Sequence, residues 1–167
     1  MITGNSSSYD SDNILSAEEL AGKLEKLSTE GKKIGLCSGG FDLFHPGHIT
    51  YLNSAKKFCD VLVVAVARDE FLKRKENGRP IFSERLRAYM VSQLKAVDFV
   101  IIDDGSVNTY YIIKPDVYIK GKDYADEKSV GMIESKAVLE SLGAKIEYTI
   151  DEKFSSTDII KKIKNID

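Results

Sequence analysis

Five short apolar runs, rich in Val and Ile, recur along the chain and alternate with segments of helical periodicity. Each run predicts a β-strand, and the five are KIGLCS, DVLVVAVA, DFVIIDD, DVYIKG and AKIEYTI. The intervening segments predict helices at about 47–58, 84–96, 106–114, 129–142 and 156–165. Because strands that alternate with helices form βαβ units, the pattern predicts an α/β fold. We expect a Rossmann-like, doubly wound parallel sheet of about five strands with helices on both faces.

The N-terminal residues carry little that could be buried. We therefore expect residues 1–15 to be a disordered leader, and residues 16–167 to form a single domain. Ser16 stands three residues before Glu19, which is the spacing of a capping box, and an apolar helical stripe follows. The first helix is therefore expected to begin at Ser16.

The charge balance argues against a surface built to bind nucleic acid or membrane. Lys and Arg number 24 and Asp and Glu number 26, which gives a formal net charge of −2. The sequence has no apolar run of about 18 residues and no signal-peptide pattern at its start. We expect a cytoplasmic protein without nucleic-acid or membrane partners, in which Cys37 and Cys59 are small hydrophobic residues rather than a disulfide.

Both histidines of the chain, His45 and His48, flank a Pro-Gly pair just after the first predicted strand. The turn between this strand and His45, Gly39 to Asp42, lets backbone N–H groups approach an anion. The N-terminus of a predicted helix follows. A zinc site would need further ligands, and the spacing to Cys37 and Cys59 matches no closed site. Structural histidines with local hydrogen bonds are a second interpretation. The third is a phosphate site to which both imidazoles donate.

The stretch GGFDLFHPGH resembles the HxGH signature of the nucleotidyltransferase superfamily that includes the cytidylyltransferases, and the similarity runs from about Lys33 to Ile163. The resemblance implies that His45 and His48 are catalytic and stabilise the α-phosphate of a nucleoside triphosphate. A phosphate-bearing substrate attacks this phosphate and pyrophosphate leaves, with Mg²⁺ as cofactor and no metal held by protein ligands. The resemblance also implies that Gly40, Phe41 and Asp42 bind the nucleotide. Such a site needs donors more than bases, because a phosphate nucleophile is already anionic.

A cationic segment follows the second predicted strand and includes Lys73, Arg74, Lys75 and Arg79. We expect a polar loop here, and four such cations could simply be a solvated surface. The family has a phosphate-binding lysine at this place, which implies a catalytic and substrate-binding role for Lys75 and a substrate-binding role for Lys73. It also has an arginine in the next helix, and Arg87 is the match for nucleotide binding.

The segment after the fourth predicted strand, Lys120-Gly121-Lys122-Asp123-Tyr124, is similar to the heptose-phosphate adenylyltransferases found as a domain of bacterial ADP-heptose synthases. Glycerol-phosphate cytidylyltransferases tend instead to have Gly-Asp-Asp-Trp. The resemblance implies that Lys120 and Asp123 bind the substrate and that Gly121 and Asp123 bind the nucleotide. A plain strand-to-helix turn would use the same Gly and Asp.

The last motif, Ser155-Ser156-Thr157, precedes a short basic helix. Hydroxyls and N–H groups at a helix start bind phosphate, although a simple N-cap uses the same residues. The motif resembles the family's Gly-x-Ser-Thr-Thr segment, which implies nucleotide binding by all three residues. Lys153 replaces the glycine and Ser156 replaces the first threonine, so the base preference is left open.

These features together predict a nucleotidyltransferase that joins a nucleoside triphosphate, with ATP favoured, to a sugar phosphate such as heptose 1-phosphate. The alternative is CTP with glycerol 3-phosphate or another polyol phosphate. A non-catalytic nucleotide-binding module is a further alternative, which loss of either histidine would have favoured. We expect a homodimer without kinase activity.

Overall fold

The computed structural model describes residues 1–4, 8–75, 78–126, 129–152 and 154–166, without the side chain of Lys75. Five strands form one sheet: β1 (Ile34–Gly39), β2 (Val61–Ala67), β3 (Phe99–Asp103), β4 (Val117–Gly121) and β5 (Lys145–Thr149). All neighbouring pairs are parallel, and the order is β3-β2-β1-β4-β5. The predicted doubly wound α/β sheet is confirmed.

Seven α-helices of the described residues surround this sheet: α1 (Ala17–Thr29), α2 (Pro46–Lys56), α3 (Asp69–Lys75), α4 (Glu84–Ser92), α5 (Asn108–Ile113), α6 (Val130–Ser141) and α7 (Ser156–Lys164). A 3₁₀ turn, Lys122–Tyr124, follows β4. The capping box of Ser16 and Glu19 is present at the start of α1. Within the part of the chain that the structure describes, no helix is long and apolar enough to cross a membrane.

The helix α3 corrects one prediction, because its residues were expected to form a polar loop. The segment contains no Gly or Pro, and the first glycine after it is Gly78. Its Leu72 is buried against the turn after β1, where a Cβ added to Gly40 would lie 2.8 Å from Leu72 Cδ2. Leu72 and its neighbour Phe71, which packs beside Gly105, are the apolar residues that hold this otherwise polar segment against the domain.

The sheet separates two apolar cores, because adjacent residues of each strand point to opposite faces. On one face Leu36 and Val63 pack with residues of α1, α5 and α6. On the other face Cys37 and Val64 pack with residues of α2 and α4. Burial on both faces explains why the strands read as continuous apolar runs in the sequence.

Residues near both ends of the N-terminal segment form backbone hydrogen bonds with the rest of the domain. The Leu15 N–H donates to the Val100 carbonyl at 2.9 Å, and the Val100 N–H donates to the Asn13 carbonyl at 2.8 Å. The Ile2 N–H donates to the Ile81 carbonyl at 2.6 Å. The two bonds with Val100 satisfy backbone groups of the edge strand β3 that would otherwise lack partners in the sheet.

The strand order reverses at β1, which defines where a ligand can enter. From β1 the chain adds β2 and β3 on one side, and then β4 and β5 on the other side. The carboxyl ends of β1 and β4 are therefore adjacent, and the connections that leave them diverge. Such a crevice is the usual ligand site of open α/β sheets.

Candidate active site

A cavity of about 180 Å³ lies at the carboxyl ends of the sheet, beside the N-terminus of α2. Four segments supply its lining: one at the carboxyl end of each of β1, β4 and β5, and one at the start of α2. They comprise Ser38 to Phe41, then His45, Gly47, His48 and Tyr51, then Lys120 to Tyr124, and finally Thr149, Asp151, Glu152 and Phe154. The structure thus brings together the histidine pair, the glycine turn and the Lys120 segment, as the sequence predicted.

The turn between β1 and α2 has an unusual backbone. Phe41 and Leu43 both adopt left-handed conformations, with φ of +50° and +48°. Such conformations are costly for residues other than glycine and persist where surrounding contacts enforce them. Two buried side chains, Arg87 and Asp42, provide those contacts.

Arg87 is completely buried, with 0% of its surface exposed, and does not line the cavity. Its guanidinium donates to the Gly40 carbonyl at 2.5 Å, to the Phe82 carbonyl at 3.0 Å and to the Asp69 carboxylate at 2.7 Å. These bonds use Nε, Nη1 and Nη2. Arg87 thus positions the turn that carries Gly40, and its role in nucleotide binding stays a prediction.

Asp42, in the turn after β1, has structural partners, and its predicted contact with nucleotide stays a prediction. Its carboxylate accepts from the N–H groups of Ile81 at 2.9 Å and Phe82 at 3.0 Å, and Arg79 Nε lies 3.2 Å away. Only 2% of the residue is exposed, and it does not line the cavity. Asp42 thus joins the segment before α4 to the turn after β1. Its carboxylate is occupied by the N–H groups of Ile81 and Phe82 and by Arg79.

The two histidines form a stacked pair at the N-terminus of α2. Their ring centroids lie 3.8 Å apart with an interplanar angle of 17°. The His45 backbone N–H donates to His48 Nδ1 at 3.4 Å, so the proton of a neutral His48 lies on Nε2. The Nδ1 of His45 is buried and has no hydrogen-bond partner among the described residues.

Burial keeps both imidazoles neutral when no anion is bound. It lowers the pKa of His48 to about 4, with the neighbouring His45 as a further cause. Burial also lowers the pKa of His45. A neutral imidazole still donates one N–H, and an anion in the cavity would favour a second proton. The pair is therefore suited to bind an oxyanion whose charge increases during reaction.

Lys120 places a fixed positive charge in the same cavity. Its Nζ donates to the Ser38 carbonyl at 3.1 Å and to the Ser38 hydroxyl at 3.0 Å. The rings of Tyr118 and Tyr124 flank this ammonium at 5.3 Å and 4.8 Å from their centroids. Because Lys120 is buried and held on several sides, its charge can meet a phosphate without further ordering of the side chain.

Among the described side chains, those of Lys73, Ser155, Ser156 and Thr157 do not line this cavity. Lys73 is exposed on α3, and the side chain of Lys75 lies outside the described residues. The Ser155 hydroxyl accepts from the Asp158 N–H at 3.4 Å as an N-cap, and the Ser156 hydroxyl donates to the Asp42 carbonyl at 2.7 Å. The phosphate-binding roles of Lys73, Lys75, Ser155, Ser156 and Thr157 stay predictions, and Lys153 also lies outside the described residues.

Asp151 and Phe154 belong to the cavity, although no sequence motif predicted them. A Cβ added to Gly47 would lie 2.6 Å from Phe154 Cβ, so the glycine between the histidines is needed for this close packing. Both residues follow the end of β5. The rule that ligands meet the carboxyl ends of the strands could have identified them.

Comparison with known proteins agrees with this geometry. The family model described as cytidylyltransferase-like matches residues 36–162. The bifunctional protein HldE of Geobacter metallireducens is 40% identical over 154 residues, which are 90% of this chain and 31% of that protein. HldE of Campylobacter jejuni is 42% identical over 156 residues, which are 91% of this chain and 32% of that protein. The chain thus spans about a third of the length of these relatives.

A solved structure resembles the chain as well. The crystal structure of the lipopolysaccharide core biosynthesis protein from Thermoplasma volcanium is 34% identical, with a TM-score of 0.62, and the match covers 74% of this chain and 100% of that one. The fold, the site and these likenesses define a nucleotidyltransferase. The chain belongs to the cytidylyltransferase-like family, and the predicted resemblance is confirmed.

Proposed function

We propose that the chain transfers a nucleotidyl group from a nucleoside triphosphate, with ATP favoured, to a sugar phosphate such as heptose 1-phosphate, and releases pyrophosphate. The observation that carries the proposal is the stacked, neutral pair of His45 and His48 in one cavity with the buried cation of Lys120. The relatives named HldE and the relative named as a lipopolysaccharide core biosynthesis protein support a carbohydrate substrate. The expected homodimer stays a prediction from the resemblance.

The proposed reaction needs no general base. An oxygen of the sugar phosphate attacks the α-phosphorus of the triphosphate, and the bond between this phosphorus and the bridging oxygen to the β-phosphate breaks. The attacking oxygen is already anionic, so the protein must align two repelling anions and neutralise charge. His45 and His48 donate to the α-phosphate, where this charge develops in the transition state, and Lys120 holds an incoming phosphate.

Mg²⁺ is expected to accompany the triphosphate and to neutralise charge on its phosphates. Among the residues that the structure describes, no group of three or more His, Cys, Asp or Glu side chains could hold a metal ion. Mg²⁺ is usually bound by one or two carboxylates together with substrate phosphates and water. Asp123 lines the cavity and can supply such a carboxylate. The residues present therefore fit a Mg²⁺ ion that enters with the nucleotide.

A crossed substrate panel tests the proposal. ATP and CTP are each combined with heptose 1-phosphate and with glycerol 3-phosphate, and pyrophosphate release is measured with Mg²⁺ present. We expect the highest rate for ATP with heptose 1-phosphate and no release without a sugar phosphate. A preference for CTP with glycerol 3-phosphate would instead support the polyol-phosphate alternative. Binding of triphosphate without release in any combination would support a non-catalytic module.

A further inference from the structure

Tyr118 is a buried tyrosine of β4 that the proposed chemistry does not use. Only 2% of the residue is exposed, and its hydroxyl forms a hydrogen bond of 2.7 Å with the Ser38 hydroxyl of β1. Its ring packs edge-on against that of Tyr110 in α5, with the centroids 5.6 Å apart. Because a buried hydroxyl must be paired, the phenol of Tyr118 depends on Ser38.

The sheet places Tyr118, Lys120 and Ser38 on one face. Tyr118 and Lys120 are two residues apart in β4, so their side chains point to the same side of the sheet. The parallel neighbour of β4 is β1, whose Leu36 pairs with Tyr118. Ser38 follows Leu36 by two residues and therefore shares this face. The three polar groups thus meet beside the cavity, which Ser38 and Lys120 line.

Ser38 accepts two of the three N–H groups of the Lys120 ammonium, through its carbonyl at 3.1 Å and its hydroxyl at 3.0 Å. An ammonium can only donate, so the Ser38 hydroxyl oxygen is the acceptor, and Tyr118 is the second partner of the same hydroxyl. The bond with Tyr118 restricts rotation of the Ser38 side chain and keeps its oxygen directed at Lys120. Within the part of the chain that the structure describes, these bonds leave one N–H of the ammonium for a ligand in the cavity.

The groups that orient Lys120 are uncharged. Burial raises the pKa of Tyr118 to about 12, and the bond with Ser38 has a smaller, opposing effect, so the phenol stays neutral near neutral pH. The rings of Tyr118 and Tyr124 flank the ammonium. Neutral hydroxyls and aromatic faces orient a cation without neutralising it, whereas a carboxylate in this place would compete with a phosphate. The charge of Lys120 therefore stays available to an anionic ligand.

We propose that Tyr118 is a positioning residue that acts through Ser38 to fix the ammonium of Lys120 against the phosphate of the sugar phosphate. Without the phenolic hydroxyl, the Ser38 side chain is free to rotate away, and the ammonium loses a fixed direction but keeps its charge. The loss should weaken binding of the sugar phosphate and leave the histidine pair at the α-phosphate intact. This inference rests on the proposed function, because it assigns the phosphate at Lys120 to the sugar substrate.

Steady-state kinetics of the full chain test the assignment, with heptose 1-phosphate and ATP varied separately in the presence of Mg²⁺. Tyr118→Phe keeps the ring beside Lys120 and removes only the hydroxyl. We expect KM for heptose 1-phosphate to rise about 3- to 10-fold, as for loss of one hydrogen bond, while KM for ATP and kcat change less than about 2-fold. Tyr89→Phe removes a tyrosine hydroxyl from α4, outside the cavity, and is the matched control, with both KM values unchanged.

A double-mutant cycle tests whether Tyr118 acts through Ser38. Ser38→Ala removes the hydroxyl that contacts both Tyr118 and Lys120, and should raise KM for heptose 1-phosphate at least as much as Tyr118→Phe does. In the Ser38→Ala background, Tyr118→Phe should then add less than about 2-fold. Independent effects that multiply would overturn the inference, because Tyr118 would act by another route.

Other outcomes would also overturn the inference. They are an unchanged KM for heptose 1-phosphate in Tyr118→Phe, and an equal rise in KM for both substrates, which a merely structural role would give. If Tyr118→Phe does not fold, Ser38→Ala replaces it, because the same split between the two KM values is expected when Lys120 loses this hydroxyl. Absence of the split in Ser38→Ala would likewise overturn the inference. A wild type that releases no pyrophosphate would instead overturn the proposed function, so the two failures are distinguishable.

Discussion

At the scale of single residues, His45 and His48 combine a structural and a chemical task. The His48 ring accepts the His45 backbone N–H at the N-terminus of α2 and still lines the cavity. Removing the ring should therefore affect catalysis far more than folding. A buried donor that acts mainly on the transition state contributes a large rate factor, whereas one weak capping contact contributes about 1 kcal/mol.

We predict that His48→Ala lowers kcat about 10²-fold or more and lowers the free energy of unfolding by only about 1 kcal/mol. His45→Ala should behave similarly. Steady-state kinetics and urea denaturation measure the two effects, and Asn53→Ala, on the exposed face of α2, is the control. A variant with wild-type turnover, or one that unfolds, would return the pair to a purely structural role.

The depressed pKa of His48 also predicts how stability depends on pH. The folded pKa is about 4, below the ordinary value of 6.5, so between these values the unfolded chain binds more protons. Stability is therefore fully present above about pH 6.5 and is lost as the pH falls towards 4. The loss from this group should be roughly 1 to 3 kcal/mol.

His48→Gln removes the titrating group and isolates this contribution. Denaturation of the wild type and the variant at pH 7.5, 6 and 5 should give a difference in unfolding free energy that shrinks as the pH falls. Parallel curves over this range would show that His48 titrates normally in the folded protein.

At the scale of elements, the turn after β1 depends on a buried contact with α4. Arg87 joins the Gly40 carbonyl to Asp69 at the start of α3, so one side chain connects three elements. We predict that Arg87→Met lowers the free energy of unfolding by about 3 kcal/mol, because buried acceptors lose their donors. Arg85→Ala removes a half-exposed arginine from the same helix, paired with Asp10, and should cost less than about 1 kcal/mol. Equal costs in urea denaturation would contradict the assignment of Arg87 as a positioning residue.

The elements themselves were largely predictable from the sequence, and their contacts were not. The apolar runs that form the strands and the capping box at Ser16 depend on residues a few positions apart, so local sequence patterns identify them. The bond from Arg87 to Gly40 joins residues separated by 47 positions, and only the completed fold brings them together. For the same reason the buried bonds of Arg87 and Asp42 could not be predicted, and the segment that forms α3 was expected to be a loop.

At the scale of the whole molecule, the site follows from sheet topology. The reversal of strand order at β1 places the ends of β1, β4 and β5 around the N-terminus of α2. The sequence predicted this crevice and its histidines. It did not predict Asp151 or Phe154, because the recognisable motif after β5 is the later Ser-Ser-Thr, which contacts the turn after β1 through Ser156.

The central claim, nucleotidyl transfer in this cavity, is tested most directly by following the label from radioactive ATP. The protein is incubated with heptose 1-phosphate, Mg²⁺ and ATP labelled at either the α- or the γ-phosphorus, and the products are separated. We predict that the α-label enters the sugar product and that the γ-label appears in pyrophosphate, with both signals reduced about 10²-fold or more in His48→Ala. Transfer of the γ-label to the sugar, or equal transfer by the variant, would contradict the account.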